Sequence, residues 1–167
     1  MENLFYSTHQ SLQSGVSAQE KVIKSINSNA PVKCSKTITV NTDSKKVWSV
    51  LTNIENWSTW QTDISKAKLH GDLKAETTFD WITGGVKIRS ILHTVEQHKH
   101  FGWTGKTFGI FAIHNWTLTE TGDTTTIEVD ESMEGFVAGL FKKSFNRNLE
   151  NGMLKWLDLL KQECEKQ

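Results

Sequence analysis

Two periods of apolar residues divide the chain. From about Ile64 to Met133 apolar and polar residues alternate, with turn-forming residues at regular intervals, which is the pattern of half-buried strands. From Val137 onward the apolar positions fall at steps of three and four, through Leu140, Phe141, Phe145, Leu149, Met153, Trp156, Leu157 and Leu160. That spacing predicts a helix of about seven turns with one apolar stripe. Upstream, alternation from Cys34 to Val40 predicts a first strand. Val47, Trp48, Val50 and Leu51 then form a helical stripe that Thr42 or Asp43 can cap, and Ile54, Trp57 and Trp60 continue it after a break at Asn53. Two short helices are expected there. Residues 1–31 form a polar arm whose ordered signal is the capping box Ser17-Ala18-Gln19-Glu20 ahead of Val22, Ile23 and Ile26, predicting one short helix before Pro31.

Two-residue hairpin loops fix which side chains face each other. A loop at Gly84-Gly85 sets Trp81 opposite Ile88 and Phe79 opposite Ser90. A loop at Gly122-Asp123 sets Trp116 opposite Val129 and His114 opposite Glu131, and one at Phe108-Gly109 sets Trp103 opposite His114 and Gly105 opposite Ala112. The three registers agree on one inward face, apolar apart from Ser90, His114 and Glu131. The other face carries Asp80, Lys87, Arg89, His93, Asn115, Thr117, Glu128 and Asp130, as a solvated surface should.

The helical stripe is interrupted at Ser144, Asn148 and Gly152, four residues apart. The later half of the helix therefore seals the sheet, whereas the earlier half stands off and leaves a cavity. The result is a single α+β domain in which a curved antiparallel sheet grips a long C-terminal helix. Composition supports the cavity: seven tryptophans against one tyrosine is more large apolar surface than a core of 167 residues needs.

Charge excludes other classes. Lys plus Arg and Asp plus Glu are each 19, so the net charge is zero and no footprint for nucleic acid or an anionic membrane is visible. No stretch approaches the ~20 apolar residues of a membrane span, and the start of the chain lacks the basic and apolar runs of a signal peptide, so a cytoplasmic protein, monomer or homodimer, is expected. Cys34 and Cys164 lie far apart and read as reduced structural thiols. His93, His98 and His100 are close in sequence, but His93 points outward and the other two fall in a turn, so neither metal nor cofactor is expected.

The sharpest chemical signal is the juxtaposition of His114 and Glu131 in an apolar wall. A carboxylate there is costly unless paired, and a neighbouring imidazole can hold or donate the proton. Such a pair can serve as a general base, anchor a ligand hydroxyl or carbonyl, or form a buried salt bridge. Trp57 and Trp60 read as core, or as a closure over the cavity mouth. Lys142 and Lys143 read as a solvated face.

The order of elements resembles the START or birch-pollen-allergen-like helix-grip superfamily. Val47-Trp48, Trp57-Ser58-Thr59-Trp60, Phe79-Asp80-Trp81, Ile88-Arg89-Ser90, Gly102-Trp103-Thr104-Gly105, His114-Asn115-Trp116 and Glu131-Ser132-Met133-Glu134-Gly135 resemble its polyketide cyclase/dehydratase-like branch, over roughly residues 34–164. The resemblance implies a helix-grip domain over residues 32–167, with about seven strands. It also implies a hydrophobic cavity with Ser90, Trp103, His114, Trp116 and Glu131 on its wall. Trp60, Phe79, Trp81, Ser144 and Asn148 complete the candidate ligand-binding set. Three functions follow: binding of a small hydrophobic or aromatic molecule; a cyclase, dehydratase or isomerase using Glu131 with His114 for proton transfer; and a co-chaperone-like interaction module. The arm lies outside the family pattern, and it can cover the sheet, swap onto a partner or stay mobile.

Overall fold

The computed structural model describes residues 23–166. A nine-residue strand, β1 (Val32–Val40), leads into α1 (Ser44–Thr52) and a 3-10 helix (Ile54–Thr59). Six strands follow: β2 (Ile64–Leu69), β3 (Thr78–Thr83), β4 (Val86–Glu96), β5 (His100–Thr107), β6 (Ile110–Thr121) and β7 (Thr124–Glu134). Two helices close the chain, α2 (Phe136–Leu140) and α3 (Lys142–Cys164). The strands form one antiparallel sheet in the order β1-β7-β6-β5-β4-β3-β2. This is the helix-grip architecture expected from the sequence.

The hairpin registers follow from turn chemistry. Gly84 and Gly85 both take positive φ, as do Phe108 and Gly109, so each pair forms a two-residue loop whose twist matches its strands. Trp81 pairs with Ile88, Phe79 with Ser90, Trp103 with His114, and His114 with Glu131, as the loops require. One bulge interrupts β4 between Leu92 and Thr94, leaving His93 as the extra residue. Asp43 caps α1, its carboxylate accepting from the Lys46 N–H at 2.8 Å.

The core lies between the concave face of the sheet and α3. Leu149, Met153, Leu157, Leu160 and Cys164 of α3 are buried, as are Val47, Trp48 and Leu51 of α1. Trp57 stands at the centre, with Phe79, Trp81, Trp103 and Trp156 around it at centroid distances of 5.3–5.9 Å.

Four expectations need correction. The C-terminal helix is broken at Phe141, so α2 and α3 are separate, and Leu140 and Phe141, expected on the buried stripe, are exposed. The convex face is not solvated throughout. Residues 23–31 run along it, the Asn115 amide donating to the Lys24 carbonyl at 3.0 Å and the Asn27 N–H to the Ser132 hydroxyl at 3.0 Å, and beneath them Ile113, Asn115 and Ser132 are buried. The capping box Ser17-Ala18-Gln19-Glu20 and Val22 lie outside the described residues, while Ile23 and Ile26, the last apolar positions of the expected helix, are in non-helical chain. His100 belongs to β5 rather than to a turn. No helix among the described residues is long and apolar enough to cross a membrane.

Candidate functional site

A cavity of about 550 Å³ lies between the concave sheet and the first half of α3. Small residues make it. Gly105 and Ala112 face each other across β5 and β6, and a methyl group on Gly105 would already press against Ile88 and the Ser90 hydroxyl at 3.3–3.4 Å. Around them Trp81, Ile88, Trp103, Trp116, Val129 and Met133 supply apolar walls, and Phe145, Gly152, Met153 and Trp156 of α3 form the roof. The exposed lining residues Asp63, Gly84 and Asn148 mark the opening. Asp63 is held by Lys155 of α3 at 2.6 Å, which ties the roof to the rim.

On the cavity wall His114 and Glu131 stand side by side, both buried, with imidazole Nδ1 and carboxylate Oε2 2.5 Å apart. A carboxylate only accepts, so Nδ1–H is the donor and Nε2 is left as the second ring nitrogen. The ring is fixed twice over. Besides the Glu131 bond it stacks on Trp103, with centroids 4.3 Å apart and planes 14° from parallel. Its Nε2 is buried and has no hydrogen-bond partner among the described residues, and the same is true of the Trp116 indole N–H. The rings of His114 and Trp116 lie 5.4 Å apart. An unsatisfied buried polar atom costs about 1–3 kcal/mol, and both of these belong to residues that line the cavity.

Of the candidate residues, Trp81, Trp103, His114, Trp116, Glu131 and Asn148 line the cavity; Trp60, Phe79, Ser90 and Ser144 do not. Ser90 is wholly buried and accepts from the Trp81 indole N–H at 3.1 Å, so its hydroxyl orients a wall residue. Phe79 packs behind the wall against Trp57 and Trp103. Trp60 rests on the Trp156 ring, and Ser144 points to solvent. Sequence reasoning placed Met153 and Trp156 in the sealing half of the helix, yet both reach the cavity. Phe145, on the same stripe but in the half that stands off, also lines the cavity.

Other titratable groups stand apart. Burial at the β4 bulge pushes the His93 imidazole down to about 4, with Lys24 on the arm adding to the effect. Burial likewise pushes the Cys164 thiol up to about 12, leaving it inert. Cys34 and Cys164 are free thiols. His98 packs edge-on to Trp48 and His100 bonds Thr117, so the three histidines do not converge.

Comparison with known proteins agrees with this fold. A hypothetical protein from Helicobacter pylori is similar at a TM-score of 0.72 and 21% identity, over 83% of this chain and 95% of that one. A START superfamily protein from Mycobacterium smegmatis is similar at 0.69 and 12% identity, over 80% and 97%. The di-domain ARO/CYC StfQ from the steffimycin biosynthetic pathway is similar at 0.68 and 14%, with 80% of this chain covering 51% of that longer protein. At such identities the likeness shows the fold alone. No protein of curated function matches the sequence. The family model described as polyketide cyclase / dehydrase and lipid transport matches residues 31–165, the whole of the sheet and both closing helices. By sequence and by fold together, the chain belongs to the polyketide cyclase / dehydrase and lipid transport family.

Proposed function

We propose that the protein binds a small, largely aromatic molecule carrying one hydroxyl or carbonyl group, with that group seated between His114 and Trp116. The observation that carries the reading is the pair of buried, unpartnered atoms, His114 Nε2 and Trp116 Nε1, in otherwise apolar walls. The volume lies within the range of cavities that enclose a drug-sized ligand. The aromatic rings favour a flat, apolar guest. A hydroxyl can donate to Nε2 while accepting from the indole N–H; a carbonyl can accept from the indole alone. Neither wall atom carries a fixed cation, which favours a neutral guest over a carboxylate or phosphate.

A second reading rests on the Glu131–His114 geometry. A carboxylate that holds the imidazole by Nδ1, leaving Nε2 to face the guest, is the arrangement of an oriented general base. If chemistry occurs, His114 Nε2 takes the proton and Glu131 steadies the imidazolium that forms. A ligand-sized void is not needed by an interaction module acting through its surface, which places the co-chaperone-like reading behind these two.

Native mass spectrometry of the purified full chain should show a retained apolar molecule. His114→Ala should weaken its retention by roughly three- to tenfold, the worth of one neutral hydrogen bond. Glu131→Gln should weaken it less, because the ring stays stacked on Trp103. Loss of turnover in both variants, with affinity and fold intact, supports the second reading; unchanged affinity and turnover in both would remove the pair from either role.

A further inference from the structure

Four of the six exposed large apolar side chains among the described residues gather at one end of the molecule: Phe108 is 78% exposed, Phe136 83%, Leu140 62% and Phe141 55%. Phe108 is at the tip of the β5–β6 hairpin, while Phe136, Leu140 and Phe141 belong to α2 and its junction with α3. The two segments touch. Gly135 sits so close to the Gly109 carbonyl that any side chain on it would overlap the oxygen, and Phe108 and Phe136 flank that contact.

Folding does not account for these residues. Phe108 takes φ 43°, a left-handed conformation that a bulky side chain adopts only under constraint, and then leaves its ring in water. Taking about 200 Å² per aromatic side chain, the four expose on the order of 500 Å², at the upper end of what an unpartnered surface carries.

Charge identifies what covers them. Between Gly135 and Asn148 there is no acidic residue, and Lys142, Lys143 and Arg147 occupy the first two turns of α3. Lys106 adds a cation on the β5–β6 hairpin. None of the four is in a salt bridge with a carboxylate among the described residues. Within a chain of zero net charge, this end thus sets four cations beside four exposed apolar side chains, with Glu134 as the flanking acid. Thr107 and Ile110 of this hairpin and Phe145 and Asn148 of α3 also line the cavity, so the end adjoins its opening.

We infer that this end docks on an anionic lipid bilayer, Phe108, Phe136, Leu140 and Phe141 entering the interface and Lys106, Lys142, Lys143 and Arg147 resting on the headgroups. Exposed aromatic side chains between lysines fit that boundary, whereas a second copy of the chain would bring like charges together. The surface stands whatever the cavity takes; its position gives a guest a short path between bilayer and interior.

The test is sedimentation of the full chain with vesicles of equal parts phosphatidylcholine and phosphatidylglycerol, against phosphatidylcholine alone. Binding to the anionic vesicles only, falling with added salt, is expected. Phe108→Ser with Phe136→Ser should weaken it at least about tenfold, and Lys142→Glu with Lys143→Glu by a similar factor, each with an unchanged circular dichroism spectrum. No binding to anionic vesicles, equal binding to both compositions, or binding indifferent to both double substitutions overturns the inference. So does a dimer in light scattering that Phe108→Ser with Phe136→Ser abolishes.

Discussion

At the scale of single residues, position and packing assign opposite duties to two histidines. His114 lines the cavity, oriented by Glu131 and Trp103, with its Nε2 unpartnered among the described residues. His93 faces the other side of the sheet, in the β4 bulge beneath the arm, where burial holds its imidazole to about 4 against an ordinary 6.5. The Lys24 ammonium on the arm reinforces this, disfavouring a second positive charge nearby. A depressed folded value means that the unfolded chain binds the proton first. The stability that neutral His93 contributes is complete above about pH 6.5 and is lost as pH falls toward 4. Carboxylates act lower down. Glu120, for example, is held below the usual carboxylate range by Ser44. The thermal midpoint should therefore decline between pH 6.5 and 4.5, and His93→Gln should flatten that decline. A decline unchanged by the substitution assigns it to other groups.

At the scale of elements, α3 does two jobs along its length of about 35 Å. Its second half, with Leu157, Leu160 and Cys164 buried, seals the sheet, while Phe145, Asn148 and Gly152 roof the cavity. Leu157→Ala should cost about 2–5 kcal/mol in urea unfolding, whereas Phe145→Ala, only half-buried, should cost less and change ligand affinity more. Equal stability losses with no change in affinity would dissolve the distinction. The strands were legible in the sequence because a two-residue loop leaves one register, and that register alone made neighbours of His114 and Glu131. What stayed hidden depended on rotation and rotamer. Helical spacing shows that Phe141, Phe145 and Trp156 are apolar positions of one helix. It cannot show that a break at Phe141 turns the first to solvent, or that the third reaches past the seal into the cavity. Alternation put Ser90 on the inner face, but only the rotamer of Trp81 decides that its hydroxyl is spent on an indole. Nothing in the period of the strands announces that the arm covers Ile113 and Asn115.

At the scale of the whole molecule, an apolar interior and a cationic, aromatic end are built from the same hairpin and the same helix. Because a guest binds only the folded form, a ligand at about a hundredfold its dissociation constant should stabilise the domain by about 2.7 kcal/mol. For a chain of this size that is a rise of roughly 5–10 °C in Tm, readable by calorimetry. Compounds that lack any hydrogen-bonding group should give a smaller shift at matched apolar area, and equal shifts would discount the unpartnered pair. The stack of His114 on Trp103 has an optical corollary. An imidazole lying flat on an indole alters its light, so a molecule that slides against the ring should change emission at Trp103. On the proposed function, this indole would act as a dye already bonded into the chamber whose filling it reports.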